Sequence, residues 1–330
     1  ETFIMNFFWI LSCFSALVLF SPVSALLCPV RGESMVALVT PMDLAGVVDH
    51  GALRSLVEWH VESGTQAIVA LGTTGEASTL STEEKDAVLE TTMGVVQGSI
   101  PVVVGTGSID TKASIAATKR AKDAGADASL VVTPYYVKPP QRAMVEHFGA
   151  IAEAVDLPML LYNVPGRTGV DLSPATVAEI AEKYNNVIGI KEATGDVSRV
   201  KPLRDACGPD FLLLSGDDAT SLDFMLQGGD GVISVTTNVA PAKMQEVMSL
   251  ARSADQDNIA RATDIDRSQL QPLHNDLFLE ANPIPVKWAL HRAGRIPPGI
   301  RLPLVELAPE HHARVEAAMK AADVDLVSSS

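Results

Sequence analysis

Lys191 stands at the tip of a short apolar run in the stretch Asn186-Val-Ile-Gly-Ile-Lys-Glu-Ala-Thr-Gly195. Burial disfavours the charged form of an ammonium group, and a neutral amine is the nucleophile that forms a Schiff base with a carbonyl carbon. A lysine at a strand end can equally extend its stem and put its charge in water, so its neighbours decide between the two. Tyr162 closes the apolar run before it, at 159–162. On adjacent strands the two side chains end at similar heights, where a phenol exchanges protons with whatever the lysine holds. Gly72-Thr-Thr-Gly-Glu76 combines two hydroxyls with consecutive backbone N–H groups. It reads either as a plain helix-entry turn or as a cradle for a small carboxylate. Arg167, in Tyr162-Asn-Val-Pro-Gly-Arg-Thr-Gly169, is ordinary as a solvated loop charge; beside such a cradle its fork suits a second carboxylate. Tyr135 and Tyr136 read on their own as core or rim packing, and Asp217-Asp218 as the cap of the following helix rather than as catalytic groups.

These residues need elements that bring them together. Apolar runs recur at 35–39, 67–71, 102–104, 129–132, 159–162, 187–190, 211–214 and 231–235, with helical patterns between them. Ser81-Thr-Glu-Glu84 opens one helix with a capping box and Ser173-Pro174 opens another with proline at its first position. Runs without clean alternation are strands buried on both faces, hence a parallel sheet. Eight βα units in about 220 residues predict a closed (β/α)₈ TIM barrel rather than an open doubly wound sheet. The open sheet with a dinucleotide would require Gly-x-Gly-x-x-Gly after its first strand, and Thr40-Pro-Met-Asp43 stands there instead. A barrel does its chemistry at the C-terminal ends of its strands, which is where the cradle, both tyrosine positions, Arg167 and Lys191 fall. Beyond about residue 255 the rhythm stops, and 257–270, 273–292 and 309–322 read as largely helical, punctuated by Asn282-Pro-Ile-Pro285 and Pro297-Pro298. The expected organisation is a catalytic barrel over 31–255 and a C-terminal helical extension over 256–330, the latter structural.

Residues 1–30 do not match the rest. The apolar run at 7–20, followed by small residues at Val23-Ser-Ala25, resembles a signal-peptide core, yet no Lys or Arg precedes it. It reads equally as upstream sequence translated ahead of a start at Met35, and it stands apart from the strand–helix rhythm that follows. The formal net charge of -15 and the absence of a basic cluster argue against a nucleic-acid surface. Of three cysteines, Cys13, Cys28 and Cys207, only Cys207 lies in the body of the chain, which excludes a disulfide framework and points to a reducing compartment. No Cys/His spacing suggests a metal site; His311-His312 lies in a polar segment without nearby partners.

Four separated motifs in order, Gly72-Thr-Thr-Gly-Glu76, Tyr162-Asn-Val-Pro-x-Arg-Thr-Gly169, Gly189-Ile-Lys-Glu-Ala-Thr-Gly195 and Asn282-Pro-Ile-Pro-Val-Lys287, closely resemble the dihydrodipicolinate synthase family, from about residue 32 to the C-terminus. The resemblance implies condensation of pyruvate with L-aspartate 4-semialdehyde on the diaminopimelate route to lysine, through a covalent pyruvate imine on Lys191 and with no metal or organic cofactor. It implies Tyr162 as proton shuttle, linked through Thr73 to Tyr136, and Thr73 and Thr74 holding the pyruvate carboxylate. Arg167 would hold the semialdehyde carboxylate, and Gly216 and Ile233 would be further substrate-binding positions. In the family the tyrosine matching Tyr136 reaches into a neighbouring subunit's site, so a dimer paired into a cytoplasmic homotetramer is expected. In lysine-inhibited members a His, an Asn and a Glu line a pocket at the dimer interface; the matching positions here hold Lys85, Ile109 and Ala113, and weak or absent inhibition by lysine is expected. Two alternatives stand beside this reading. One is another Schiff-base aldolase of the N-acetylneuraminate lyase or 2-keto-3-deoxygluconate type, whose polyhydroxylated substrate does not need the cation of Arg167. The other is a non-catalytic binding barrel.

Overall fold

Valine, isoleucine and leucine dominate the short runs because a strand covered on both faces gains from every side chain, about 1.5–3 kcal/mol for each large one buried. The computed structural model describes Val30, residues 32–253 and residues 255–327; nearly all of the segment set apart at 1–30 lies outside the described residues. Eight parallel strands follow in chain order: β1 (Ser34–Ala37), β2 (Ala67–Ala70), β3 (Val102–Gly105), β4 (Ala128–Val132), β5 (Met159–Asn163), β6 (Val187–Glu192), β7 (Leu212–Ser215) and β8 (Gly231–Ser234). Each pairs with the next, and β1 pairs with β8 to close the barrel. Every expected run is a strand, with ends that differ by one or two residues. The difference that matters for the site is at β6, which continues through Lys191 and Glu192.

The interior is filled by Met35, Ala37, Val69, Val103, Leu130, Leu160, Tyr162, Leu214 and Ile233, while the outward faces of the strands pack on the surrounding helices. Ser81 caps the helix Thr82–Val96 in a full capping box with Glu84, and Ser173 caps Pro174–Lys183 with proline in its first turn. After the last barrel helix, Pro241–Ala251, the chain continues as Gln256–Ile265, a π-helical turn Asp266–Leu270, and Gln271–Asp276, then Ile284–Arg292 and Pro309–Ala321. The helix expected over 273–292 is therefore interrupted between Asp276 and Ile284. Pro283 disfavours a helical conformation at Asn282 and has no N–H to donate. The irregular segment carries Phe278 and Asn282 to the cavity at the C-terminal ends of the strands. No helix among the described residues is long and apolar enough to cross a membrane.

Candidate active site

Strand register decides which side chains enter the barrel. Tyr162 on β5 is the register partner of Lys191 on β6, which is in turn the partner of Leu214 on β7. Partners in a parallel ladder point to the same side, and Leu214 is an interior residue, so the lysine and the phenol both point inward. Asn163, Glu192 and Ser215 form the next register line and point outward by the period of two. The acid next in sequence to Lys191 is thus turned away from it. Glu192 is buried and accepts from Arg199 Nε at 3.1 Å, Asn163 Nδ2 at 3.1 Å and the Thr194 amide at 2.9 Å. Lys191 is only 6% exposed, makes no ion pair among the described residues, and has its Nζ 4.6 Å from the centroid of the Tyr162 ring.

Gly216, directly after β7, makes room for the lysine stem. A Cβ at this position would lie 2.8 Å from Lys191 Cε, 3.0 Å from Lys191 Cγ and 2.6 Å from the Cβ of Ala193. The cavity in front of the amine has a volume of about 110 Å³, well below the range that takes drug-sized ligands, and suits a small acid. It is lined by Thr73, Thr74, Tyr162, Arg167, Lys191 and Gly216 among others. Thr73 is exposed at its mouth and Thr74 is buried. The turn carrying both threonines is bracketed by Leu71 (φ 57°) and Glu76 (φ 53°), two side-chain-bearing residues in the left-handed region, a conformation that costs of order 1 kcal/mol or more per residue.

Arg167 sits in the short helix Pro165–Thr168 after β5 and donates from Nη2 to the Asn282 carbonyl at 3.3 Å. Its loop is tied to the strand ends by a bracket of charges. Asn163 Nδ2 donates to Asp171 at 2.8 Å, Asn163 Oδ1 accepts from the Leu172 amide, and Arg199 spans Asp171, the Leu172 carbonyl and Glu192. Asp217 caps the turn Asp218–Thr220 by accepting from the Thr220 amide. Asp218 does something else: it is buried and accepts from the amides of Val235 and Thr236, joining the ends of β7 and β8. The expectation of a simple double cap holds for Asp217 only.

Two of the expected site residues are not brought to the cavity. Ile233 belongs to the interior cluster with Met35 and Leu214, and Val235, the first residue past the end of β8, lines the cavity instead. Tyr136 is 86% exposed with φ 68°, and among the described residues no side-chain hydrogen bond joins it to Thr73 or Tyr162. It stands with Tyr135 and Val137 in an exposed apolar patch. Asn282 is the principal residue that the reading of the sequence placed only as helix punctuation: its Nδ2 donates to Thr74 Oγ1 at 2.9 Å, and it lines the cavity. Its position in one of the four quoted motifs was the available signal.

Comparison with known proteins decides the family. The model of the dihydrodipicolinate synthetase family matches residues 31–322. The chain belongs to this family. It is 55% identical over 291 residues to the 4-hydroxy-tetrahydrodipicolinate synthase of Alcanivorax borkumensis, covering 88% of this chain and 97% of that protein. The Pseudomonas aeruginosa enzyme of the same name is 52% identical, covering 87% of this chain and 97% of its own length. Among solved structures, the dihydrodipicolinate synthase of Acinetobacter baumannii complexed with pyruvate superimposes with a TM-score of 0.86 at 51% identity, covering 90% of this chain and all of that one. The barrel and its helical extension are thus those of a dihydrodipicolinate synthase.

Proposed function

We propose that the chain is a 4-hydroxy-tetrahydrodipicolinate synthase, a lyase that condenses pyruvate with L-aspartate 4-semialdehyde at the entry to diaminopimelate and lysine biosynthesis. The observation that carries the reading is the shared register of Lys191 and Tyr162, both facing one small cavity whose rim holds Thr73, Thr74 and Arg167. The neutral amine of Lys191 adds to the ketone carbon of pyruvate, and loss of water leaves a protonated imine. That cation draws electrons from the methyl group; loss of a methyl proton gives the enamine, whose carbon adds to the aldehyde carbon of the second substrate while the aldehyde oxygen gains a proton. The amino group of that substrate then attacks the imine carbon, closes the ring and expels the lysine amine. Tyr162, in contact with the amine, carries the protons these steps need. The imine is the electron sink, so the reading requires no further cofactor.

Thr73 and Thr74 hold the carboxylate of pyruvate, and Arg167 that of the semialdehyde, with a fork of donors of which one is engaged by the Asn282 carbonyl. Tyr136 completes the proton relay from a second copy of the chain. Its exposure beside Tyr135 and Val137 supports a covered apolar patch, and a dimer paired into a homotetramer working in the cytoplasm is the full form of the proposal. One solved relative is described as a monomeric variant, so assembly is a property of each member. A coupled assay with pyruvate and the semialdehyde, run beside sugar-acid substrates, tests the reading. Turnover confined to the semialdehyde is expected; preferential cleavage of a sugar acid would place the chain among the other Schiff-base aldolases.

A further inference from the structure

Beside Phe278 in the cavity lining and the Asn282 carbonyl on Arg167, the helical extension holds the threonine turn through the side chains at the two ends of one short segment, Asn282-Pro-Ile-Pro-Val-Lys287. At its start Asn282 donates to the hydroxyl oxygen of Thr74. A hydroxyl that accepts this bond keeps its own hydrogen for another acceptor. Five residues on, Lys287 Nζ binds Glu76 Oε1, both side chains being almost wholly buried. The second oxygen of Glu76 accepts the backbone N–H of Arg301 at 3.2 Å. Arg301 is itself fixed by a two-pronged bridge to Glu84 and by the Thr79 and Gly46 carbonyls. Glu76 is the last residue of the threonine turn and stands in the left-handed region, where the backbone does not rest unaided. Burial pushes the Lys287 pKa down while Glu76 pulls it up, and a buried pair broken on one side leaves a costly unpaired charge.

We propose that Lys287 is a positioning residue for substrate-carboxylate binding: through Glu76 it holds the turn at residues 71–76 in the form that presents the Thr73 and Thr74 hydroxyls to the cavity. Neither Lys287 nor Glu76 lines that cavity, so the effect travels through the backbone of the turn. The inference rests on the assignment of the threonines to the pyruvate carboxylate and deepens it, because it makes the C-terminal extension part of the binding machinery rather than a structural appendage.

The test titrates pyruvate against the full chain in the presence of borohydride, reads the mass added at Lys191, and follows thermal melting of the same samples. The variants are Lys287→Met, which strands the Glu76 charge, and the double variant Glu76→Gln/Lys287→Met, which removes both charges. The single variant melts lower and the double variant regains most of that loss. In both, the pyruvate concentration giving half-maximal adduct rises about tenfold, the scale of losing a hydrogen bond to a charged group, while the adduct at saturation remains complete. A double variant with wild-type half-saturation would overturn the proposal, since the pair would then serve stability alone. Equal loss of adduct at every pyruvate concentration would overturn it as well. A wild-type chain that gains no mass would overturn the Lys191 assignment itself and this inference with it.

Discussion

The stem of Lys191 has room because the residue beside it, Gly216, has no side chain. A methyl group at Gly216 would stand 2.8 Å from Lys191 Cε and 2.6 Å from the Cβ of Ala193, so one of the two must move. Displacements of about 1 Å in a reacting group cost up to about 100-fold in rate. Gly216→Ala is therefore expected to slow imine formation with pyruvate by one to two orders of magnitude, followed as the rate of borohydride-trapped mass, with little change in melting temperature; an unchanged trapping rate would contradict the role. Arg167 carries the opposite signature. Its guanidinium lies at the cavity rim, away from the amine's own contacts, so Arg167→Ala should damage use of the semialdehyde far more than trapping of pyruvate; equal damage to both steps would count against it. These residues were legible because an amine, a phenol, paired threonines and an arginine at strand ends are chemically unusual together. Glu192 was not, because an acid next in sequence to a lysine does not reveal that the pleat turns it outward onto Arg199. Nor was the exact place of Ile233, because an apolar run does not show which of its side chains stays among the interior packing and which position past the strand reaches the cavity.

At the scale of elements, the eight strands were legible because runs of branched apolar residues in a closed parallel barrel are buried on both faces and show no competing pattern. The break in the extension was not legible as a functional feature. Composition over 273–292 favours helix, and the interruption by Pro283 acquires its meaning only from Thr74 and Arg167, both more than 100 residues away. The helix pair that would carry lysine sensitivity is also informative. Lys85 lies on the helix Thr82–Val96, and its pKa is pushed down by burial and by the neighbouring Arg120 of the helix Thr111–Asp123. Arg120 is itself paired with Asp86 at 3.5 Å, so the cation of Lys85 is what repels the ammonium groups of lysine, and Ala113 offers nothing to pair with them. Millimolar L-lysine should leave the condensation rate essentially unchanged in a steady-state assay, and strong inhibition would contradict this account.

For the whole molecule, the exposed Tyr136 is the feature that one chain cannot explain alone. A phenol held with a left-handed backbone, 86% exposed and outside the cavity lining, is poorly placed for its own Lys191. Subunit mixing separates the possibilities. Tyr136→Phe and Lys191→Ala proteins are each expected to be nearly inactive. If Tyr136 serves a neighbour, a mixed dimer has one intact site, and random reassortment restores about a quarter of wild-type activity. No recovery after demonstrated exchange would show that the relay stays within one chain. The sequence could supply the chemistry of this residue but not its address, because a contact between copies leaves no periodic trace along one chain.

The central claim is that the buried amine of Lys191 forms the covalent bond to pyruvate. Reduction with borohydride in the presence of pyruvate, followed by intact-protein and peptide mass spectrometry, measures that bond directly. The account predicts one added pyruvate-derived group per chain, located at Lys191 and absent from a folded Lys191→Ala variant. An unmodified wild-type chain, or an adduct on another lysine, would contradict it.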